Sequence, residues 1–357
     1  MFRFTLPAAV LVATSAPVWA EAPAVATDIA PVQALVAQVM AGVGAPALIV
    51  PPRASPHGYA MRPSEARALS GADLVVWVGP ALTPWLAEPL TTLAGNAEHL
   101  ELMSQPGTQV LAFRQGARFE AHDHGAEGVP HGADAHEEHE EDHAHDDAGH
   151  AGHAHDDADY ARHAEDGADH EGHAHDVADH AGHTHEGVDP HVWLDPRNGQ
   201  LWLGEIAGAL AELDPENAAQ YRANAAAAQA ELVELETEIA ERLAPVKDQP
   251  FIVFHDAYHY FEARFDIEAI GAISENDARA PGAARVAALR EMVQDSGVKC
   301  VFAEPQFNPG LIAAVSEGQG VKTGTLDPIG AELTPGATLY SDLLRGMAES
   351  MAACLSD

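Results

Sequence analysis

Short apolar blocks alternate with helical patterns in the first part of the chain. Val25 to Thr27 predicts a short strand, and apolar residues at helical spacing follow from Ile29 to Met40. Ala47 to Val50 predicts a second strand, and Arg62 to Leu69 predicts another helix. The run from Ala72 to Gly79 is apolar apart from Asp73 and is bounded by glycines, which is typical of a strand buried on both faces.

The last part of the chain repeats this alternation. Pro250 to Phe254 predicts a strand and is followed by a helix that ends at Phe265. Val286 to Ser296 predicts a helix, Val298 to Ala303 a strand, and Pro309 to Glu317 a further helix. Strands that alternate with helices favour a mostly parallel sheet with helices on its faces. The fold class is therefore α/β, and 357 residues with 46% hydrophobic content suit two such lobes.

A long helix is predicted between the two parts. Asp214 can cap it, Pro215 fits its first turn, and an Ala/Glu/Leu-rich run continues to Leu243 before Pro245 stops it. At 1.5 Å per residue this helix would be roughly 43 Å long. It would join the two lobes stiffly; the alternative is a helix packed wholly on one lobe.

The first twenty residues resemble a secretory signal. Arg3 precedes an apolar run from Leu6 to Val12, and Val18-Trp19-Ala20 stands ahead of Glu21 as a cleavage site. The run is too short for a permanent membrane anchor. An uncleaved anchor or a lipid attachment is the alternative, although no cysteine lies near the cleavage point. We expect cleavage and a periplasmic location.

The central tract, residues 120–187, has an internal repeat. From residue 140 it falls into ten-residue units with histidine in the fourth place and, in four of the five units, histidine in the sixth. Without apolar periodicity the tract cannot bury enough surface to offset its ordering entropy, so we expect a disordered insertion. The paired histidines are His143, His145, His153, His155, His173, His175, His183 and His185.

These patterns predict a division of the chain. Residues 1–20 are the signal peptide, 21–200 the N-terminal lobe with the tract inserted, 201–244 a helical region with the long helix, and 245–357 the C-terminal lobe.

The charge of the chain restricts its partners. A formal net charge of −37, with 55 acidic and 18 basic residues, disfavours nucleic acid and anionic membrane surfaces and favours cations. Much of this charge lies in the central tract.

Two cysteines, Cys300 and Cys354, are present. In an oxidising compartment such a pair favours a disulfide, and two buried thiols are the alternative.

The tract also has the chemistry of a metal collector. Its His-x-His pairs alternate with Asp and Glu, and zinc, copper, nickel and cobalt all accept such ligands. Because imidazoles must be deprotonated to bind, affinity should fall below about pH 6.5. The alternative is a solvated acidic loop whose histidines arose by repeat slippage.

Three histidines outside the tract stand in apolar, ordered-looking sequence. His57 lies in SPHGY, His191 in DPHVWLDP, and His255 directly after the strand that ends at Phe254. Open α/β folds bind ligands at the carboxyl ends of strands. Each histidine taken alone is more often structural than a ligand. Three in comparable positions, in a chain with a metal-collecting tract, favour a metal site.

Several segments together resemble one family. They are SPHGYAMRPSEARAL with ADLVVWVGP, then HVWLDP, FHDAYHYFEARF, CVFAEPQFNP and GTLDPIG. The chain resembles the ZnuA-like zinc-binding periplasmic components of ATP-driven zinc importers over nearly all of its length outside the tract. The resemblance implies two α/β lobes joined by one long helix, with the metal in the cleft between them.

The resemblance also implies a ligand set. The family's three histidine ligands fall on His57, His191 and His255, and its C-lobe aspartate falls on Asp327. Relatives in manganese importers have a carboxylate where His255 stands, and three nitrogens favour zinc. Some zinc members have an acidic residue where this chain has Pro56, so the fourth ligand is Asp327 or water. The family's disulfide maps onto Cys300 and Cys354.

Further residues near these ligands have predicted supporting roles. His259 follows His255 by one helical turn, where members often have a small residue, and we expect a partner or cleft-lining group more than a ligand. Glu304 and Asp256 are candidate acceptors for imidazole N–H groups. His99 lies in a polar segment and is expected at the surface.

The function implied is capture of Zn²⁺ in the periplasm by a monomer and its delivery to the membrane permease of an ABC importer, with the tract as an accessory collector. No reaction would be catalysed. A secreted zinc hydrolase is one alternative, because three ligands and a water can form a catalytic site. The sequence has neither H-E-x-x-H nor G-x-S-x-G, which disfavours it. A zinc buffer or metal-dependent adhesin without transport is the other.

Overall fold

The computed structural model of the protein describes residues 22–114, 119, 187–274, 282–307 and 309–357. The predicted signal peptide and the paired histidines of the central tract lie outside these residues, as does the predicted disorder of the tract up to residue 186. Within the described part of the chain, no helix combines the length and apolarity needed to cross a membrane.

The first sheet has four parallel strands in the order β2-β1-β3-β4. Its strands are β1 (Val25–Thr27), β2 (Ala47–Leu48), β3 (Leu74–Trp77) and β4 (Glu98–Glu101). β3 is buried at every position, as its continuous apolar run predicts. β4 was not predicted, because its polar residues suit the edge of a sheet and carry no apolar run.

Three helices connect these strands. They are α1 (Ala30–Val39), α2 (Pro63–Ser70) and α3 (Ala87–Leu93). α1 begins with a proline in its first turn, where the missing N–H costs nothing, and buries Val32, Leu35 and Val36 at helical spacing. α1 and α2 agree with the predicted helices to within a residue or two at each end.

The second sheet repeats the same plan, with four parallel strands in the order β6-β5-β7-β8. Its strands are β5 (Phe251–His255), β6 (Gly271–Ser274), β7 (Cys300–Ala303) and β8 (Lys322–Thr325), and its helices are α6 (His259–Phe265), α7 (Ala283–Asp295) and α8 (Pro309–Ser316). His255 is the last residue of β5 and does not follow it. Two parallel sheets flanked by helices confirm the predicted α/β class.

Three longer helices complete the fold: α4 (Pro196–Leu213), α5 (Ala218–Leu243) and α9 (Leu339–Leu355). α5 contacts α1 and α4 beside the first sheet and α9 beside the second. The alternative of a helix packed wholly on one lobe is therefore wrong. The domain boundaries proposed from the sequence remain predictions, and α4 crosses the one at residue 200.

The start of the long helix differs from the prediction. α5 begins at Ala218, so its 26 residues span roughly 39 Å. Asp214 instead ends α4, and its carboxylate accepts hydrogen bonds from Asn217 and from the Tyr221 hydroxyl. An aspartate followed by proline suits a helix cap and a turn equally well, and here it forms the turn between two helices.

One large apolar core is shared by both sheets. It includes Leu35 and Trp202 from the N-terminal part and Phe251, Phe302 and Leu344 from the C-terminal part. Smaller clusters cover the outer faces of the two sheets. The shared core fixes the carboxyl ends of both sets of strands close to each other, where the candidate ligands lie.

The predicted disulfide is confirmed. Cys300 on β7 and Cys354 on α9 are bonded, with their Cα atoms 5.9 Å apart. The bond attaches the last helix to the centre of the second sheet.

Replacing both cysteines by alanine should lower the free energy of unfolding by about 2–4 kcal/mol, because the unfolded chain regains the entropy of a loop closed over a sequence separation of 54. Urea unfolding of the two proteins under oxidising conditions measures the difference. Wild-type protein treated with a reducing agent is the control and should approach the variant. Equal stability of oxidised wild type and variant would contradict the prediction.

Candidate metal site

The three candidate ligands lie in a turn after a strand, just before a helix and at the end of a strand. His57 lies in a single 3-10 turn (Pro56–Gly58) after β2, and its backbone N–H donates to the Ser55 hydroxyl at 3.3 Å. His191 immediately precedes the 3-10 turn Val192–Leu194, which leads into α4. His255 ends β5. The two parallel sheets thus bring their carboxyl ends to one place, as open α/β folds do.

The three imidazoles converge. One ring nitrogen from each of His57, His191 and His255 lies within 4.8 Å of the other two. The ring centroids of His57 and His191 are 5.4 Å apart, and those of His191 and His255 are 5.3 Å apart. His191 and His255 are buried, and His57 is half-buried. In the described part of the chain, no other three histidine, cysteine or carboxylate side chains approach one another in this way.

The imidazoles line a small cavity whose remaining walls are mostly apolar. The walls are formed by Pro56, Trp193, Phe307, Pro328 and Ile329, and Glu304 contributes the one acidic side chain. The cavity measures about 20 Å³, which accommodates a single water-sized or ion-sized occupant. Apolar walls exclude bulk water and strengthen the electrostatic interactions inside.

Asp189 orients the ring of His191. Its Oδ1 lies 2.7 Å from His191 Nδ1 and also accepts the backbone N–H of His191 at 2.9 Å. A carboxylate on one ring nitrogen leaves the other directed towards the cavity. Burial raises the pKa of Asp189 to about 8, and the hydrogen bond from His191 opposes that effect. A cation held by His191 would favour the ionised carboxylate.

Glu304 orients the ring of His255. Its Oε1 lies 2.6 Å from His255 Nδ1 and 3.3 Å from the backbone nitrogen of His255. The side chain of Glu304 is buried. The predicted acceptor role of Glu304 is confirmed by this geometry.

The predicted acceptor role of Asp256 is wrong. Its carboxylate is directed to Arg114, which contacts both of its oxygens, and Arg114 also donates to Glu262. The sequence reasoning missed Arg114 because the pairing joins positions far apart in the chain. It missed Asp189 although the signal was local, since an aspartate two residues before a histidine can accept both its backbone and ring N–H groups.

The remaining predicted residues lie around the site. Asp327 accepts hydrogen bonds from the backbone N–H groups of Ile329 and Glu332, at 3.4 and 3.2 Å, and does not join the three converging imidazoles. His259 lies at the start of α6 with its Nδ1 4.0 Å from Asp189 Oδ2. His99 is exposed, as predicted, and contacts the carbonyl of Ala94.

The donor set has a definite chemical preference. Three neutral imidazole nitrogens suit zinc and are unlike the all-oxygen sets that magnesium and calcium prefer. Two buried carboxylates behind the rings, Asp189 and Glu304, supply negative charge that would balance a divalent cation.

Comparison with known proteins agrees with this geometry. The chain is 46% identical to the high-affinity zinc uptake system protein ZnuA of Brucella suis biovar 1 (strain 1330) over 332 residues, which are 93% of this chain and 91% of that protein. It is 46% identical to the protein of the same name from Paracoccus denitrificans (strain Pd 1222) over 349 residues, which are 98% of this chain and 96% of that one.

Solved structures share the fold. A crystal structure of ZnuA matches with a TM-score of 0.66 at 23% identity, covering 93% of this chain and 98% of that one. A laminin-binding adhesin of Streptococcus agalactiae matches with a TM-score of 0.65 at 21% identity, covering 94% of this chain and 100% of that one. The model of the ZnuA family, described as zinc-uptake complex component A, periplasmic, matches residues 25–354. The chain belongs to the ZnuA family.

Proposed function

We propose that the protein captures Zn²⁺ with high affinity in the periplasm and delivers it to an ABC-type zinc importer. The observation that carries the proposal is the convergence of three imidazole nitrogens within 4.8 Å of one another in a cavity the size of one ion. Membership of the ZnuA family and relatives named as high-affinity zinc uptake proteins support it.

In this proposal His57, His191 and His255 are the zinc ligands. Asp189 and Glu304 orient two of the rings, and a water or a shift of Asp327 supplies the fourth ligand. The protein acts as a monomer and catalyses no reaction, and residues 1–20 direct its export and are then cleaved. Its partner is the membrane permease of the importer.

The proposal is tested by titrating zinc into the purified protein in the presence of a competing chelator. One zinc ion should bind each chain more tightly than any other, and manganese should compete for it poorly. Absence of a tight site in the wild-type protein would overturn the proposal.

Transport distinguishes the proposal from a zinc buffer or metal-dependent adhesin. Cells that lack this protein should take up little zinc when zinc is scarce, and supplying the wild-type gene should restore uptake. The S. agalactiae adhesin is 21% identical to this chain, and at that identity the likeness is evidence for a common fold and not for a common function. Normal zinc uptake without the protein would favour the alternative.

The paired histidines of the central tract are proposed as an accessory zinc collector. Excising residues 122–184 should remove the weaker sites and leave the tight one, because the three converging imidazoles lie outside that segment. This excision preserves Phe119, which lies over Arg114, and Gly187, which accepts a hydrogen bond from Phe113. Calorimetry with a competing chelator measures the number of sites and the affinity of each. Loss of the tight site together with the weak ones would contradict the assignment.

A further inference from the structure

The two ends of the central tract are joined by a short antiparallel pairing, which we call the stem (residues 111–114 and 187–189). Ala112 and Val188 form the bridge between its strands. The N–H of Phe113 donates to Gly187 at 3.2 Å, and the N–H of Asp189 donates to Leu111 at 2.9 Å. The second strand of the stem therefore ends at the carboxylate that orients His191.

A single hydroxyl group fastens both strands of the stem to α6. The Tyr260 oxygen accepts the backbone N–H of Leu111 at 2.8 Å, and its hydroxyl donates to the carbonyl of Asp189 at 2.7 Å. Tyr260 is buried, and burial raises the pKa of its hydroxyl, so this group stays protonated and keeps both bonds. Without it, the buried carbonyl of Asp189 and the half-buried N–H of Leu111 would lose their partner.

Arg114 fastens the first strand of the stem to the same region. Its side chain is 5% exposed, its Nε lies 3.1 Å from Asp256 Oδ1, and its Nη1 lies 2.5 Å from Glu262 Oε2. Phe119 covers the guanidinium at 4.0 Å from the ring centroid. A buried arginine held by two carboxylates is rigid, because each bond fixes the planar fork in one orientation.

The contacts of Tyr260 and Arg114 each lead to one of the candidate ligands. Asp189, held by Tyr260, hydrogen-bonds the ring of His191, and Asp256, held by Arg114, directly follows His255 in the chain. Metal ligands must be held to within about 0.5 Å of their productive positions. We propose that Tyr260 and Arg114 are positioning residues for zinc, which fix His191 through Asp189 and His255 through Asp256. This rests on the zinc-binding function proposed above.

The main test uses Tyr260→Phe, which removes the hydroxyl and keeps the buried ring. Zinc affinity, measured by competition with a chelator, should fall about tenfold, at the lower end of the effect of removing groups that orient metal ligands. The rate of zinc release should rise accordingly. With cobalt in the tight site, the visible absorption band should change, because it reports the geometry of the ligands.

Tyr221→Phe is the matched control. It also removes one buried tyrosine hydroxyl, whose hydrogen bond joins α5 to Asp214 at the end of α4. Both variants should lose similar thermal stability without metal, while the control keeps wild-type zinc affinity and cobalt absorption. Arg114→Lys keeps the positive charge but loses the planar guanidinium group that bonds both carboxylates. It should weaken zinc binding while the fold persists.

Three outcomes decide the proposal. Weaker zinc binding in Tyr260→Phe and Arg114→Lys, with an unchanged control, supports it. Wild-type affinity in both variants overturns it while leaving the zinc function intact, as does an equal loss in the control. No tight zinc site in the wild-type protein overturns the proposed function itself.

Discussion

Replacing His57, His191 and His255 together by alanine is expected to abolish tight zinc binding. Structural zinc sites with four ligands contribute an apparent 10–16 kcal/mol or so, which is on the order of 3 kcal/mol for each ligand. Removing three ligands should therefore cost about 9 kcal/mol and weaken binding by about a millionfold. Competition titration with a strong chelator measures the loss.

His99→Ala is the control for this variant. His99 is an ordered, exposed histidine whose ring contacts the carbonyl of Ala94. Its replacement tests whether losing a histidine outside the site also lowers zinc affinity. It should leave the tight site unchanged. Tight binding that persists in the triple variant would mean that the tract is the high-affinity site, and the assignment to the cleft would be wrong.

The triple variant should still fold. Its substitutions remove hydrogen bonds to the buried carboxylates of Asp189 and Glu304, which costs stability. The large apolar core that both sheets share is untouched. Circular dichroism and urea unfolding without metal separate a loss of ligands from a loss of structure.

The central strands of the fold were predictable from the sequence, whereas of the edge strands that the structure describes only β2 was predicted. β3 and β5 are buried on both faces and appear as continuous apolar runs. β8, with the sequence KTGT, lies at the edge of its sheet and is largely exposed, so it has no apolar signature. Such a strand is defined by its pairing with β7, a contact between distant residues that periodicity does not encode.

The candidate ligands could be predicted from the sequence for a similar reason. His57, His191 and His255 stand next to apolar elements whose ends could be located, and the family motifs cover them. The groups that orient them depend on tertiary packing. Glu304 reaches His255 from the position directly after β7, the strand beside β5, and Arg114 reaches Asp256 across 142 positions of the chain. Asp256 was misassigned because closeness in sequence does not fix the direction of a side chain.

Glu304→Ala is expected to weaken zinc binding about tenfold to a hundredfold. The Glu304 carboxylate accepts the Nδ1–H of His255 at 2.6 Å, which directs the other ring nitrogen towards the cavity and increases its basicity. Alanine leaves the ring free to turn, and the buried N–H loses its acceptor. The negative charge that would balance a bound cation is also lost. Chelator competition should show the weaker affinity.

Two further variants separate these effects. Glu304→Gln keeps an acceptor for the ring but not the charge, so its zinc affinity should lie between those of wild type and Glu304→Ala. Glu238→Ala removes one carboxylate from the exposed surface of α5, where it pairs with Arg345, and should leave zinc affinity unchanged. An equal loss in Glu238→Ala and Glu304→Ala would show that overall charge, rather than orientation of His255, determines the affinity. A loss confined to Glu304 identifies the local contact with His255 as the contribution of this residue, because Glu304 holds a candidate ligand in place and Glu238 does not.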